Sequence, residues 1–413
     1  MKKILFLVCM IFQFASGQLS WLETNINSTI SRYDDVFFLN ENLGWAALGG
    51  GSKVFKTTDA GENWTLQFQD TQNYFRNIEF LNENIGFLGT LNGDFFKTVN
   101  GGNTWQAIPL PNNLTVICGL DAVNSTTIYG CGSYNEPAYI IKSIDSGTTW
   151  TSIDMSLYAN ALVEVLFTSE LVGYASGKSD QGGVLLKTID GGISWTTIYQ
   201  TTIQGEYVWK LQILNSSPNV MFGSVSSVFD LPGKLIKSVN FGQTWISKNV
   251  PDTDIQAVGF ITENHGWMGG HGSGFLETFD GGTTWIDTNF GFSLNRFVFL
   301  GNNVAYACGQ SIYKLDASLS LPSNETYRYL PISIKVNPNP VVDKLNIEID
   351  YLHADNLLLE LYSAEGKLLK KLTKDSVSSK MKKNYSLDFD FPKGIYLLNF
   401  VTNADHQSIK IIK

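Results

Sequence analysis

The fold of this chain is indicated by Lys187-Thr188-Ile189-Asp190-Gly191-Gly192-Ile193-Ser194-Trp195, because the chain contains six versions of this segment. Each version follows the pattern [ST]-x-[DN]-x-G-x-[NST]-W. The final tryptophan stands at positions 64, 105, 150, 195, 245 and 285, in steps of 41, 45, 45, 50 and 40 residues. A repeat of this length is typical of solenoids, propellers and other arrays.

The residues of the repeated stretch predict a tight turn between two strands. An Asp or Asn side chain accepts hydrogen bonds from backbone N–H groups a few residues ahead and closes a turn. The glycine supplies a backbone conformation with positive φ, and the tryptophan is a large apolar anchor on the following strand. We therefore predict a structural, not a catalytic, role for Asp59, Gly61, Trp64, Asn100, Gly102, Trp105, Asp145, Gly147, Trp150, Asp190, Gly192, Trp195, Asn240, Gly242, Trp245, Asp280, Gly282 and Trp285.

Four short strand patterns surround each turn, and the turns resemble the Asp-box, or BNR, repeat. The first repeat reads Val36–Leu39, Gly44–Ala47, Lys53–Lys56 and Trp64–Leu66. Four strands per repeat of this length are typical of a propeller blade. Three more strand patterns follow the sixth turn, and Ser20–Glu23 supplies a fourth, with Trp21 as a seventh anchor. The sequence predicts an all-β chain with a seven-bladed β-propeller over residues 18–320, closed by strands from both ends.

The repeated pattern of turns and strands ends before residue 320, and a different pattern follows. Residues 321–331 are predicted to be a linker, and alternating strand patterns with Gly and Pro turns over residues 332–413 predict a small β-sandwich. This segment resembles the type A C-terminal sorting domain of the type IX secretion system, which implies export across the outer membrane and, in many members, later removal and surface attachment of the cargo. The residues that carry the resemblance are Pro338, Asn339, Pro340, Gly366, Lys367, Gly394 and Tyr396.

The composition and the charge of the chain limit the classes of partner that it is expected to bind. The chain is 43% apolar, 13% aromatic and 16% charged, which suits many short strands, and its net charge is −9. Residues 18–330 carry 15 basic against 28 acidic residues, whereas residues 331–413 carry 12 against 10. An acidic propeller argues against a nucleic acid partner, because phosphate binding needs a basic surface.

The first 17 residues are predicted to be a secretory signal, with Lys2 and Lys3 before an apolar core and Ala15-Ser16-Gly17 as the cleavage site. No transmembrane segment is predicted in the mature chain, which is expected to be secreted or attached to the outer-membrane surface. In an oxidising compartment Cys118 and Cys131 could form a disulfide across a hairpin, and buried free thiols are the alternative.

No catalytic, cofactor-binding or metal-binding residues are predicted. His265 and His271 are expected at opposite ends of one strand, too far apart to share a metal ion. Sialidases contain similar repeats and bind a carboxylate with three arginines, whereas the propeller region here has Arg32, Arg76 and Arg296 at different offsets from their strands. A secreted glycoside hydrolase, sialidase-like in architecture, is the alternative function, with Asp94 and Asp180 as carboxylates that the sequence cannot pair.

The leading interpretation is a secreted or cell-surface propeller that binds a protein or glycan ligand. Residues 30–315 also resemble the photosystem II assembly factor family, which implies a seven-bladed scaffold that binds protein partners. Loops between second and third strands, and connections between repeats, should form the binding face, although Trp209 could instead belong to the core. The candidates are Asp94, Tyr134, Asp180, Tyr207, Trp209 and His271.

Overall fold

The structure is a computed structural model that describes residues 20–26, 31–114, 116–135, 137–301, 304–316, 333–351, 354–363, 367–377, 381–401 and 406–413. Within these ranges the chain is built from antiparallel strands and turns, and one short 3₁₀ segment at Pro111–Asn113. The predicted all-β class is confirmed. The predicted signal at 1–17, the linker at 321–331 and Gly366 lie outside the described residues.

Residues 20–316 form seven four-stranded sheets, which we number 1 to 7 in chain order. In sheets 1 to 6, four consecutive strands pair in sequence order, as expected for short connections between antiparallel neighbours. The first strand of the chain, β1 (Ser20–Glu23), belongs to sheet 7. Sheet 1 contains β2 (Tyr33–Phe38), β3 (Gly44–Leu48), β4 (Lys53–Thr57) and β5 (Thr65–Gln69); sheet 2 contains β6 (Phe75–Phe80), β7 (Gly86–Thr90), β8 (Phe95–Thr98) and β9 (Gln106–Ile108); and sheet 3 contains β10 (Gly119–Ala122), β11 (Ile128–Gly132), β12 (Tyr139–Ser143) and β13 (Thr151–Asp154). Sheet 4 contains β14 (Ala161–Phe167), β15 (Gly173–Ser179), β16 (Gly182–Thr188) and β17 (Thr196–Gln200); sheet 5 contains β18 (Tyr207–Ile213), β19 (Met221–Ser226), β20 (Lys234–Ser238) and β21 (Ile246–Asn249); and sheet 6 contains β22 (Ile255–Phe260), β23 (Gly266–Gly270), β24 (Leu276–Thr278) and β25 (Ile286–Asp287).

Sheet 7 is made from both ends of this region. It contains β26 (Arg296–Leu300), β27 (Val304–Cys308) and β28 (Ile312–Asp316), and β1 pairs antiparallel with β28. The predicted joining of the N-terminal strand to the last three strands is therefore confirmed. Trp21 lies opposite Leu315 and is buried, with its ring 5.4 Å from that of Trp267.

The first strands of the seven sheets contact one another in chain order, and β26 of sheet 7 contacts β2 of sheet 1. The sheets thus form a closed ring whose axis is lined by the first strands. One side of the ring carries the turns between first and second strands and the six repeated turns between third and fourth strands; we call it the box face, and the repeated turns box turns. The opposite side carries the loops between second and third strands and the connections between sheets; we call it the loop face.

Aromatic rings on neighbouring sheets hold the ring together. In four places an aromatic residue of a second strand stacks on a phenylalanine that ends the first strand of the next sheet, with ring centroids 3.6 to 3.9 Å apart. One of these pairs is Tyr306 on Phe38, which joins sheet 7 to sheet 1. Stacked rings bury a large apolar area. The contact that closes the ring, between sheets 7 and 1, is of the same kind as the contacts between the other neighbouring sheets.

The C-terminal residues form two further sheets, and their side chains share one apolar core that includes Leu345, Leu361 and Tyr396. One sheet has the order β29-β30-β33 and the other β32-β31-β34-β35. The strands are β29 (Ser333–Asn337), β30 (Lys344–Tyr351), β31 (Ala354–Ser363), β32 (Leu368–Val377), β33 (Met381–Asp388), β34 (Ile395–Val401) and β35 (His406–Ile412).

Candidate functional site

The six box turns share one hydrogen-bond arrangement. In the fourth, the Thr188 hydroxyl donates to Asp190 at 2.8 Å and accepts from the Gly192 N–H at 2.9 Å, and the Ser194 N–H donates to Asp190 at 2.9 Å. The equivalent distances in all six turns lie between 2.8 and 3.0 Å. These bonds to Ser194 and Thr188 hold the pKa of Asp190 down at about 2. The carboxylate oxygens are thus committed to closing the turn.

The lysine that precedes most box turns connects neighbouring sheets. Lys56 lies over the Trp45 ring and donates to the Gly101 carbonyl in the next box turn at 2.9 Å. Lys142 makes the same bond to the Gly191 carbonyl at 3.0 Å. Lys314 of sheet 7 donates to the carbonyl of Ala60 in the first box turn, at 3.3 Å. The repeated lysine is therefore a structural residue, a role that the sequence pattern did not reveal.

Charged side chains of the first strands meet on the axis of the ring. The Arg296 guanidinium lies 2.6 Å (Nε) from Asp35 and 2.9 Å (Nη2) from Glu164, and Lys210 also pairs with Glu164. Burial alone would raise the pKa of Glu164, but Arg296 and Lys210 together hold it below its usual value. The group joins sheets 1, 4, 5 and 7, so it can form only when the ring is closed.

Two further carboxyl groups on the axis have no cation within ion-pairing distance among the described residues. Glu79 accepts from the Ala122 N–H at 3.4 Å, and Asp121 accepts from the Phe167 N–H at 2.7 Å. Burial and the neighbouring Asp121 raise the pKa of Glu79 well above its usual value. Burial raises the pKa of Asp121 to about 7. These groups therefore exchange protons nearer to neutral pH than exposed carboxyls do.

A second charged group lies towards the loop face. Arg32 and Arg76 share the Asp34 carboxylate, with nitrogen–oxygen distances of 2.5 and 2.7 Å. Arg32 also donates to Gln256 at 2.9 Å and lies 3.1 Å from a ring nitrogen of His271. Burial and then the positive Arg32 lower the pKa of His271. The Asp34 carboxylate therefore joins two guanidinium groups from neighbouring sheets at this end of the axis.

An aromatic stack lies beside that group. The rings of Tyr134, Tyr207 and Trp209 are near-parallel, with centroids 5.1 to 5.9 Å apart, and the Arg76 guanidinium lies 5.6 Å from the Trp209 ring. Trp209 and Tyr207 are buried, whereas Tyr134 is 44% exposed. The structure therefore brings three of the predicted binding residues together, and Tyr134 presents the stack to solvent.

A second aromatic residue is exposed on the loop face. Phe229, between the second and third strands of sheet 5, is 87% exposed and has φ +56°. A positive φ is a strained conformation for a bulky side chain, and such strain is concentrated at functional sites. The sequence analysis missed Phe229, because a single phenylalanine in a loop carries no distinctive pattern.

The remaining predicted binding residues are dispersed. Asp94, on sheet 2, accepts from Asn73 at 3.3 Å, and Asp180, on sheet 4, accepts from Asn160 at 2.6 Å. Sheet 3 lies between sheets 2 and 4 in the ring, so the structure does not bring the two carboxylates together. Each accepts a hydrogen bond from a nearby asparagine instead. His265 precedes and His271 follows β23, at opposite ends of that strand as expected.

The predicted disulfide between Cys118 and Cys131 does not form in this structure, and both residues are buried free thiols. The register explains why. Cys131 pairs with Gly119, so Cys118 lies one position away and its side chain points to the other side of the sheet. Each thiol packs in a different apolar cluster.

Among the residues that the structure describes, no group of three or more His, Cys, Asp and Glu side chains is arranged to hold a metal ion. Within the same ranges no helix has the length and apolarity needed to span a bilayer.

The axial charges were not predicted from the sequence, in which Arg32, Arg76 and Arg296 stand at different offsets from their strands. A signal was present: charged residues occupy first-strand positions, where a buried strand would normally be apolar. Asp35, Glu79, Asp121, Glu164 and Lys210 all lie at such positions. Their pairing could not be read, since partners belong to different repeats.

A cavity of about 720 Å³ opens from the axis towards the box face. Its wall includes Glu79, Glu164 and Arg296 from the axis, and Leu171 and Ile189 from the box face. Three residues of the C-terminal sheets, Ile395, Leu397 and Lys410, complete it.

Comparison with protein families identifies the C-terminal segment. Residues 335–413 match the secretion system C-terminal sorting domain. The predicted sorting tail is therefore confirmed, and it implies handling by the type IX secretion system and a secreted or cell-surface location. In the structure the Asn339 side chain clamps the last strand, accepting from the Ile412 N–H at 2.9 Å and donating to the Lys410 carbonyl at 2.8 Å.

No curated protein matches the sequence. Solved structures of propeller type do resemble the fold. YCF48 from Cyanidioschyzon merolae is 19% identical with a TM-score of 0.57, covering 72% of this chain and 98% of that one. PorZ of Porphyromonas gingivalis, described as an essential surface component of its type IX secretion system, is 13% identical with a TM-score of 0.53, covering 94% and 60%. An ancestral GH74 enzyme is 12% identical with a TM-score of 0.55, covering 95% and 63%. At these identities the likeness is one of fold, and the chain spans about 60% of the length of the last two.

Proposed function

We propose that this protein is a non-enzymatic binding protein of the cell surface, exported by the type IX system, that takes a protein or glycan ligand on its loop face. The seven sheets are the blades of a propeller, the box turns are Asp-box repeats, and the two C-terminal sheets form a sandwich that serves as the export signal. In support, the sorting tail matches its family over residues 335–413, and β1 completes sheet 7 by pairing with β28.

The exposed aromatic residues of the loop face carry the proposal. Tyr134 is 44% exposed and Phe229 is 87% exposed, so both present large rings to solvent. Tyr134 is backed by two further rings and lies near the Arg32, Asp34 and Arg76 group. An aromatic surface beside a fixed group of charged side chains suits the apolar face of a sugar or an aromatic peptide side chain with an adjacent polar group.

A glycan array, together with a pull-down from the outer surface of the producing cell, would test the binding function. The bait is the mature chain, residues 18–413. Tyr134→Ala and Phe229→Ala should each weaken the captured interaction about 10-fold or more, the usual cost of removing an aromatic anchor. Phe279→Ala is the matched control, since Phe279 is 51% exposed but lies in a box turn. Equal losses from Phe279→Ala and Tyr134→Ala would contradict a ligand site on the loop face.

A glycoside hydrolase remains the second candidate, because one observation favours it. Glu79 and Asp121 are neighbouring carboxyl groups with raised pKa values, and a raised pKa is what a general acid requires. Hydrolysis of any member of a glycoside panel by the mature chain, abolished by Asp121→Asn or Glu79→Gln, would establish the enzyme and overturn the binding proposal.

A further inference from the structure

We propose that the sorting domain, residues 333–413, docks on the box face of its own propeller and closes the mouth of the axial cavity until it is removed. The docking surface is centred on Phe241 and Ile189. This inference concerns a contact within the chain and does not depend on which ligand the loop face binds.

Phe241 is the first indication, because its residue type is anomalous for its position. It occupies the site before the conserved glycine of the fifth box turn, where the other five turns have Ala60, Gly101, Ser146, Gly191 and Gly281. All six residues have a positive φ, and that of Phe241 is +58°. A bulky side chain is strained in this conformation, and glycine would avoid the strain.

The sorting domain offers a contact that offsets this strain. The Phe241 ring lies 5.7 Å from the ring of Tyr362 in β31, and Phe241 is only 7% exposed although it sits at the tip of a turn. Close by, Ile395 and Leu397 of β34 line the same cavity as Leu171 and Ile189. An apolar surface on the box face therefore meets an apolar strand of the sorting domain.

Charge complementarity points to the same occupant. Lys410 of the sorting domain lines the cavity together with Asp35, Glu79 and Glu164. The propeller region is strongly acidic and the C-terminal region slightly basic, as the counts of 15 against 28 and 12 against 10 show. A lysine from the slightly basic C-terminal region beside the acidic propeller is an attractive arrangement.

With the sorting domain docked on the box face, the two faces of the ring differ in their accessibility to ligands. The sorting domain covers the box-face end of the axis, whereas Tyr134 and Phe229 on the loop face stay accessible. Removal of the tail at the cell surface would then expose the axial carboxyls from one side only.

Chemical cross-linking of the full mature chain would test the contact. Ile189→Cys combined with Ile395→Cys places two solvent-accessible thiols on the same cavity wall, to be joined with a short bis-maleimide. The native cysteines at 118, 131 and 308 are buried and should not react. The control pair combines Ile395→Cys with Tyr134→Cys on the loop face. We expect cross-linking within the chain to be at least 5-fold greater for the first pair, and equal yields would overturn the proposal.

A pair of glycine variants separates docking from folding. Phe241→Gly relieves a strained turn but removes the contact with Tyr362, so it should lower the cross-linking yield of the first pair several-fold while the melting temperature is kept or raised. Ser146→Gly relieves the same conformation in the third box turn, away from the contact, and should leave the yield unchanged. An unchanged yield in Phe241→Gly would show that Phe241 does not hold the domain in place.

Discussion

Individual carboxyl groups in this chain are held in two opposite ways. Asp190 lies at the surface with hydroxyl and N–H donors around it, which keep its pKa at about 2. Asp121 lies on the axis with one backbone donor, and burial raises its pKa to about 7. An aspartate therefore closes a turn as a carboxylate at position 190, whereas at position 121 it can bind a proton near neutral pH.

The box-turn carboxylate is expected to contribute to stability through hydrogen bonds. Asp190→Ala removes the acceptor of the Thr188 hydroxyl and of the Ser194 N–H and hydroxyl, and should lower the free energy of unfolding by about 1–3 kcal/mol. Asp190→Asn should cost less, because Asn100 and Asn240 make equivalent bonds in two other turns. Urea unfolding of both variants measures the difference, and an Ala variant as stable as the Asn variant would contradict the assigned role.

The axial carboxyl predicts a pH dependence of stability. Since burial raises the pKa of Asp121 from 3.8 to about 7, the folded state binds more protons than the unfolded state between these values. The stability contribution of the group therefore falls as pH rises from about 4 to 7. Asp121→Asn keeps an acceptor for the Phe167 N–H and should gain about 1–2 kcal/mol over the parent at pH 8, a figure reduced from the full shift because the carboxyl is only half-buried.

Unfolding of parent and Asp121→Asn at pH 5 and pH 8 would measure this effect. The advantage of the variant should shrink at pH 5, where Asp121 is protonated in the folded protein. A constant difference between the two proteins at both pH values would show that Asp121 titrates normally.

At the scale of elements, the chain depends on a four-residue strand to complete its last sheet. β1 covers the edge of β28, which would otherwise present unpaired backbone groups to other chains. Trp21 anchors it in a cluster with Trp267, Phe275 and Phe297. The strand makes few other contacts, so its anchor should matter more than its length suggests.

Trp21→Ala should destabilise the propeller by about 3–5 kcal/mol, as large-to-small changes of buried aromatics do, and should promote aggregation through the freed edge. Leu22→Ala is the matched control, because Leu22 lies in the same strand and is 45% exposed. Thermal unfolding with light scattering reports both effects. If the two variants melted together, β1 would not be what closes the ring.

At the scale of the whole molecule, export and docking are separable properties of the C-terminal domain. Deleting residues 332–413 should leave the propeller folded but trapped on the inner side of the outer membrane, since the sorting tail is lost. Phe241→Gly in the full chain should reach the surface normally, because it changes docking and not the tail. Surface labelling of whole cells compares the two, and normal display of the truncated chain would refute the sorting role.

The sequence predicted the local features well because their partners lie close along the chain. Each box turn closes within eight residues, and the strand patterns and the sorting motifs are equally local. The disulfide expectation failed because the positions of two cysteines on either side of a turn do not determine which side of the sheet each thiol faces. Cys118 and Cys131 are offset by one residue in the register, and that offset decides the matter.

The all-β class, the period of the repeated turns, the pairing of the terminal strand and the sorting tail could all be predicted from the order of residues. The places where the charges and the exposed rings meet are known only from the folded chain. Arg296 and Glu164 are 132 residues apart and pair because the ring closes. Arg32 and Arg76 share Asp34 for the same reason, and Phe241 meets Tyr362 through the packing of two domains. A repeat specifies the contacts inside one sheet, whereas the axis and the two faces are made of side chains from different sheets, which no single repeat encodes.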